Sequence, residues 1–218
     1  MGEGSREEQG AVEEIREILF GDVALEEWGH GERDLLPWAH FAEAADRLTS
    51  SDAAGAIASL RAVLDTPDLE SRHYLQAWHH LRLLGVPCEG DSERVLGVVV
   101  EVGLDDGPAL LAAYADRSAR FFNSSGTGII WDRPDSSLDG RIDELLTSAT
   151  AVIPHIGPCD GPRPAAPAYG DARISMLTPG GLYFGQAPVE LLAGDEMGGP
   201  SFHAAVALMK ALIEIEPA

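Results

Sequence analysis

Hydrophobic residues recur with a helical period through the first part of the chain. We expect Asp34 and Asp52 to cap the second and third helices, and Thr66 followed by Pro67 to begin the fourth. Gly85, which precedes Val86 and Pro87, is a typical stop signal. The predicted helices cover residues 11–20, 34–48, 53–64 and 67–84.

The period changes after residues 89–93, a polar connector. The following stretch, VLGVVVEVG at 95–103, is rich in β-branched residues and too apolar for a strand with one solvated face. It therefore predicts a central strand covered on both faces. Three shorter apolar runs, separated by turn residues, predict an antiparallel meander that continues from it. These runs cover residues 109–115, 119–123 and 128–132.

The last part of the chain mixes both patterns. A helical period over 139–152 is followed by the segment 154–170, in which five prolines and three glycines indicate an extended loop. Two strands around Pro179 and Gly180 and two closing helices complete the expectation. These last elements cover residues 173–178, 182–184, 189–193 and 201–215.

The predicted fold is therefore α+β: an N-terminal helical bundle followed by an antiparallel β-meander sheet of five or six strands, packed with helices. We divide the chain into a helical region, residues 1–88, and a sheet domain, residues 94–218. The link between them is too short for a free tether, so we expect the two parts to share one core.

The chain is strongly acidic, with 15 Lys and Arg against 36 Asp and Glu and a net charge of −21. This charge opposes direct binding to a phosphate backbone, and it favours solubility or a partner with a basic surface. The sequence contains neither a membrane-spanning run nor a signal peptide, so we expect a cytoplasmic protein. Abundant Arg, Ala and Gly indicate a GC-rich bacterial genome.

Candidate chemistry is sparse. His155 and Cys159 have a spacing compatible with two metal ligands or with part of a thiol site, but two ligands alone do not make a metal site. His73 and His80 share a helix face two turns apart, where we expect a polar rim. Lys210 is the single lysine, and no P-loop surrounds it. We assign no catalytic residue, no cofactor and no metal.

Three functions fit this picture. The first is a non-enzymatic adaptor or regulatory protein that binds another protein through Trp28, Trp38 and Trp78, since tryptophan is favoured at contact sites. The second is a small-molecule sensor or enzyme with its site where the loop 154–170 crosses the end of the sheet. The third is an acidic mimic of nucleic acid. The sequence does not indicate an oligomeric state.

Overall fold

A computed structural model describes residues 4–27 and 34–215, with side chains from Gly10 onward, and it shows an α+β fold. In these residues seven α-helices surround one six-stranded sheet. The helices are α1 Gly4–Phe20, α2 Trp38–Thr49, α3 Ala53–Asp65, α4 Ser71–Leu83, α5 Asp139–Thr150, α6 Val189–Gly194 and α7 Gly198–Glu214. The strands are β1 Gly97–Leu104, β2 Gly107–Tyr114, β3 Ala119–Phe122, β4 Gly128–Trp131, β5 Asp171–Thr178 and β6 Gly181–Pro188.

The sheet has the order β4-β3-β2-β1-β5-β6, and all of its neighbouring strands are antiparallel. The predicted meander is confirmed as β1 to β4, and the predicted hairpin is confirmed as β5 and β6, which flank Pro179 and Gly180. β1 is central, because Val99 and Val100 point to opposite faces and both are buried. The prediction of a central strand within residues 95–103 is therefore confirmed.

One face of the sheet packs against α5, α6 and α7 and is apolar. Val98 and Val100 lie on this face with Ile142 and Leu145 of α5 and Leu208 of α7. Burial of large aliphatic side chains stabilises a fold by about 1.5–3 kcal/mol each, so this cluster is the main hydrophobic core.

The opposite face packs against α1 and α4. Leu19 of α1 and Leu75 of α4 contact a second cluster that includes Val99 of β1 and Tyr114 of β2. The Tyr114 hydroxyl donates a hydrogen bond of 2.7 Å to the Leu19 carbonyl oxygen. The helical bundle and the sheet therefore share buried contacts, although the division into residues 1–88 and 94–218 stays a prediction.

Helices α2, α3 and α4 form the bundle itself, with a third apolar cluster between them. Asp52 caps α3 as expected, since its carboxylate accepts a hydrogen bond of 2.9 Å from the Gly55 amide. The capping role predicted for Asp34 is wrong, because α2 begins four residues later, at Trp38, after Pro37.

The predicted start of α4 at Thr66 and Pro67 is also wrong. Thr66 follows the end of α3, and α4 begins at Ser71. The reason lies elsewhere in the chain: Asp116, in the turn between β2 and β3, accepts a hydrogen bond of 2.6 Å from the Ser71 amide. A carboxylate at a helix N-terminus stabilises that end, and here it is supplied by a distant residue.

None of the helices within residues 4–27 and 34–215 is long and apolar enough to cross a membrane.

Candidate functional site

A cleft of about 760 Å³ lies between α1, α4, the β5–β6 turn and the proline-rich loop. Small-molecule sites in proteins have volumes of roughly 300–1,000 Å³, so the cleft is large enough for a ligand. Its wall on one side is the loop segment from Pro158 to Arg163. The sequence predicted a site where this loop crosses the end of the sheet, and the cleft occupies that place.

The floor of the cleft is apolar. Phe20 of α1, Leu75 of α4, Leu177 of β5 and Leu182 of β6 line it. Three of these side chains are buried and Leu182 is half-buried. A ligand that covers this floor would remove apolar surface from water, which favours binding.

Buried charges hold the loop in place. The Pro164 carbonyl oxygen accepts hydrogen bonds from Arg16 of α1, at 2.9 Å, and from Arg173 of β5, at 3.2 Å. Between these arginines lies Glu101 of β1, which has no exposed surface. Its two carboxylate oxygens accept from Arg16 Nε at 2.7 Å and from Arg173 Nη1 at 3.2 Å. We call Arg16, Glu101 and Arg173 the charged triad.

The backbone of the loop also contacts the sheet directly. The Gly170 amide donates a hydrogen bond of 3.0 Å to the Gly103 carbonyl oxygen, and the Cys159 amide donates one of 2.6 Å to the Leu182 carbonyl oxygen. A Cβ at Gly103 would lie 2.1 Å from the Ala168 carbonyl oxygen, so only glycine permits this approach. The loop is therefore fixed to the sheet at Cys159, within the cleft wall, and at Gly170, at the end of the loop.

Arg163 is the first cation of the cleft, and its charge is already paired. Its guanidinium lies 4.7 Å from the centre of the Phe20 ring, donates to Asp22 at 2.7 Å and also pairs with Glu13 at 2.9 Å. Burial acts to lower the pKa of Arg163, but its contacts with Asp22 and Glu13 outweigh burial and raise that pKa. Burial also raises the pKa of Asp22, despite the bond to Arg163.

Arg82 is the second cation, and it lacks a carboxylate partner within the described residues. Its Nη1 donates to the Pro179 carbonyl oxygen at 2.8 Å. Burial lowers the pKa of Arg82, although a guanidinium remains charged at neutral pH. Every other described arginine that is not exposed forms an ion pair. Arg82 is therefore an unusual shielded cation in an acidic protein.

Glu17 of α1 is the corresponding anion. Across the part of the chain that the structure describes, its carboxylate forms no ion pair and no hydrogen bond. Burial raises the pKa of Glu17, and the negative charge of Asp22 adds to this effect. The positive charge of Arg163 opposes this shift, but Arg163 is itself paired with Asp22 and Glu13, so Glu17 keeps no ion-pair partner of its own.

His79 of α4 also lines the cleft. Its pKa is lowered to about 4, chiefly by burial and further by the charges of Arg82 and Arg163. The imidazole is therefore neutral at physiological pH, when it can donate one hydrogen bond and accept another.

The residues singled out from the sequence are not brought together. Cys159 lines the cleft, with its thiol 4.0 Å from the Pro162 carbonyl oxygen, whereas His155 is exposed and is not part of the lining. The described side chains include no group of three or more His, Cys, Asp or Glu that could hold a metal ion.

The tryptophans have different surroundings. Trp38 and Trp78 are half-buried and pack on the cluster between α2, α3 and α4. Trp38 contacts the His73 ring edge-on, with 4.4 Å between ring centres. His73 and His80 are buried and do not form the polar rim that we expected. Trp28 lies outside the described residues, and contact with a partner protein stays a prediction for all three tryptophans.

Sequence reasoning missed Arg82, Arg163, Glu17 and the charged triad. One signal was available for the triad, because Glu101 is a lone charge within an otherwise apolar central strand. Such a charge requires partners when it is buried. Comparisons with protein-family models, with curated proteins and with solved structures gave no match to this chain.

Proposed function

We propose that the protein binds a small molecule in the cleft beneath the proline-rich loop and acts as a non-covalent receptor for it. The cleft itself is the observation that carries this proposal. It combines an apolar floor with a few polar groups of both signs, which is the usual composition of a ligand site. Its walls come from α1, α4, β5, β6 and the loop, so a bound ligand would contact both the helical region and the sheet.

The rigid attachment of the loop supports this function. A binding site needs groups that are already held in position, because ordering them on binding reduces affinity. The charged triad and the Gly103 contact provide such anchorage. The loop is long and irregular, a form that is often associated with function in a compact domain.

The protein-binding hypothesis remains a prediction, and Trp28, one of its three tryptophans, lies outside the described residues. Trp38 and Trp78 direct much of their surface into the helical bundle, which gives them a structural role. Acidic mimicry of nucleic acid is also a prediction only.

The test is a search for ligands combined with a substitution that obstructs the cleft. Leu83 lines the cleft and is 70% exposed, so Leu83→Trp adds bulk at the mouth without loss of core packing. Ile213→Trp is the matched control, because Ile213 is also exposed and lies on α7, behind the sheet. A library of small metabolites is mixed with each protein, and methyl NMR of Leu75, Leu177 and Leu182 is recorded.

We expect at least one compound to shift these methyl signals in the unchanged protein and in Ile213→Trp, with weaker binding to Leu83→Trp. If no compound shifts these methyl signals, or if all binding maps to another surface, the proposal is wrong.

A further inference from the structure

The cleft presents two opposite charges that do not pair with each other. Arg82 lies at the end of α4 against Pro179, and Glu17 lies on α1 beside Asp22. Neither forms an ion pair with any side chain of the described residues, whereas Arg163, between Asp22 and Glu13, is already neutralised. The apolar floor of Phe20, Leu75, Leu177 and Leu182 belongs to the same cleft.

We propose that the ligand is a zwitterion with an apolar body: a short hydrophobic peptide with free ends, whose carboxylate binds Arg82 and whose ammonium group binds Glu17. This inference rests on the proposed function and specifies the chemical class of the ligand. The guanidinium of Arg82 has a planar set of donors that suits a carboxylate, and only one of its bonds is used by Pro179.

The overall charge of the protein supports a zwitterion over a simple ion. A net charge of −21 repels free anions, so Arg82 alone would not attract a carboxylate from solution efficiently. A simple cation could pair with Glu17 but would leave Arg82 in the cleft without a carboxylate partner. A molecule with no net charge is not repelled by the negative charge of the protein. If it carries one charge of each sign, it can form ion pairs with Arg82 and Glu17 at once.

The apolar floor gives the reason for a hydrophobic body. Burying apolar surface provides affinity at roughly 25 cal/mol per Å², while the charged ends fix the orientation of the ligand. Between the two charged ends of the ligand, the neutral imidazole of His79 can donate a hydrogen bond to a peptide carbonyl or accept one from a peptide amide.

The test uses trileucine, its N-acetyl derivative and its C-terminal amide, and it measures the Kd of each by calorimetry. We expect trileucine to bind, and we expect each blocked form to bind about tenfold more weakly or worse, because each loses a charged hydrogen bond. If trileucine does not bind, or if both blocked forms bind as tightly as the free peptide, the proposal is overturned.

Two substitutions assign the ends. With Arg82→Gln, the acid and the amide should bind equally, while the preference for a free amine remains. With Glu17→Gln, the amine and its acetyl derivative should bind equally, while the preference for a free carboxylate remains. Arg61→Gln and Glu144→Gln are the matched controls, since both residues are exposed and form no ion pair in the described structure. They should keep both preferences.

The outcomes separate this inference from the proposed function. If other compounds bind in the cleft but trileucine does not, only the ligand class is wrong. If nothing binds there, the proposed function is wrong as well. Thermal melting verifies that each variant is folded. If Arg82→Gln does not fold, Arg82→Lys serves in its place and should keep the preference for the acid, and the three peptides still decide the question on the unchanged protein.

Discussion

The two faces of the sheet differ in the kind of contact that joins them to the helices and the loop that cover them. The face beneath α5, α6 and α7 is covered by apolar side chains. The face beneath α1, α4 and the proline-rich loop is the side on which all four buried arginine and carboxylate residues of the described chain lie, namely Arg16, Glu101, Arg120 and Arg173. The loop and the cleft lie on this second side.

This difference indicates that the two faces have different structural roles. Apolar contacts are non-directional and tolerate adjustment, so they suit a face that only needs to be stable. Hydrogen-bonded charges are directional and costly to leave unpaired, so they fix the position of what they bind. The protein uses them where the loop must be placed accurately above β1 and β5.

The largest effect should come from a charge placed on the apolar face. Val100 adjoins Glu101 in β1 but points to the other side, where it is 4% exposed. Val100→Glu would bury a carboxylate without the arginines that surround Glu101, at a cost of several kcal/mol against a total stability of about 5–15 kcal/mol. We expect loss of the folded state by circular dichroism. Val100→Ala should remain folded, and a cooperative melt of Val100→Glu near that of the unchanged protein would contradict the comparison.

The next effect should come from removing the central acid of the charged triad. Glu101→Ala leaves Arg173 buried without a carboxylate partner and leaves Arg16 with Glu13 alone, so we expect a loss of about 3–5 kcal/mol in the free energy of unfolding. Urea denaturation measures it. Glu144→Ala, at an exposed position of α5, should change stability by less than about 0.5 kcal/mol. Equal effects of the two substitutions would show that the triad does not stabilise the fold.

Acid should destabilise the side that carries α4. The pKa values of His73, His79 and His80 are lowered from 6.5 to about 4, in each case mainly by burial. The unfolded chain therefore binds more protons between these values, so stability is fully present above pH 6.5 and is lost as the pH falls towards 4. Each fully buried histidine contributes up to about 1.4 kcal/mol per pH unit, with less from the half-buried His79.

Urea midpoints at about pH 7, 6 and 5 measure this dependence. His80→Gln should reduce the slope, whereas His155→Gln should leave it unchanged, because His155 is exposed. A midpoint that stays constant over this range would show that the histidines are not buried as described.

The smallest effect should come from a single buried hydrogen bond on the same side. Tyr114→Phe removes the hydroxyl that donates to the Leu19 carbonyl oxygen and leaves that oxygen without its partner. We expect a loss of about 1–2 kcal/mol, measured by thermal melting. Tyr169→Phe is the control, since Tyr169 is 71% exposed and should tolerate the change. Equal melting temperatures for the two variants would contradict a role for this bond in joining α1 to the sheet.

Much of the fold could be predicted because its signals are local. The continuous apolar run of β1 shows burial on both faces, and the residues Pro179 and Gly180 mark the turn of the last hairpin. The start of α4 could not be predicted in this way. It depends on Asp116, which lies 45 residues away in the sequence and meets Ser71 only in the folded chain.

The candidate site was predictable in place but not in composition. The proline-rich loop indicated where a site could lie, because such loops are extended and lack regular partners. The importance of Arg82 and Glu17 rests on the absence of an ion-pair partner within residues 4–27 and 34–215, and the sequence does not record which charges remain unpaired after folding. Glu101 is the exception, since its position within an apolar strand was itself a sign of buried partners.

The attachment of the loop has a consequence for how this protein can evolve. The charged triad holds the loop through the Pro164 carbonyl oxygen, and Gly103 meets the Ala168 backbone, so neither contact depends on a loop side chain. Mutations at the cleft-lining positions between Pro158 and Pro162 can therefore accumulate without loss of the contacts that hold the loop on the sheet. In a set of descendants, ligand preference would be free to diverge while Arg16, Glu101, Gly103 and Arg173 stay under common selection.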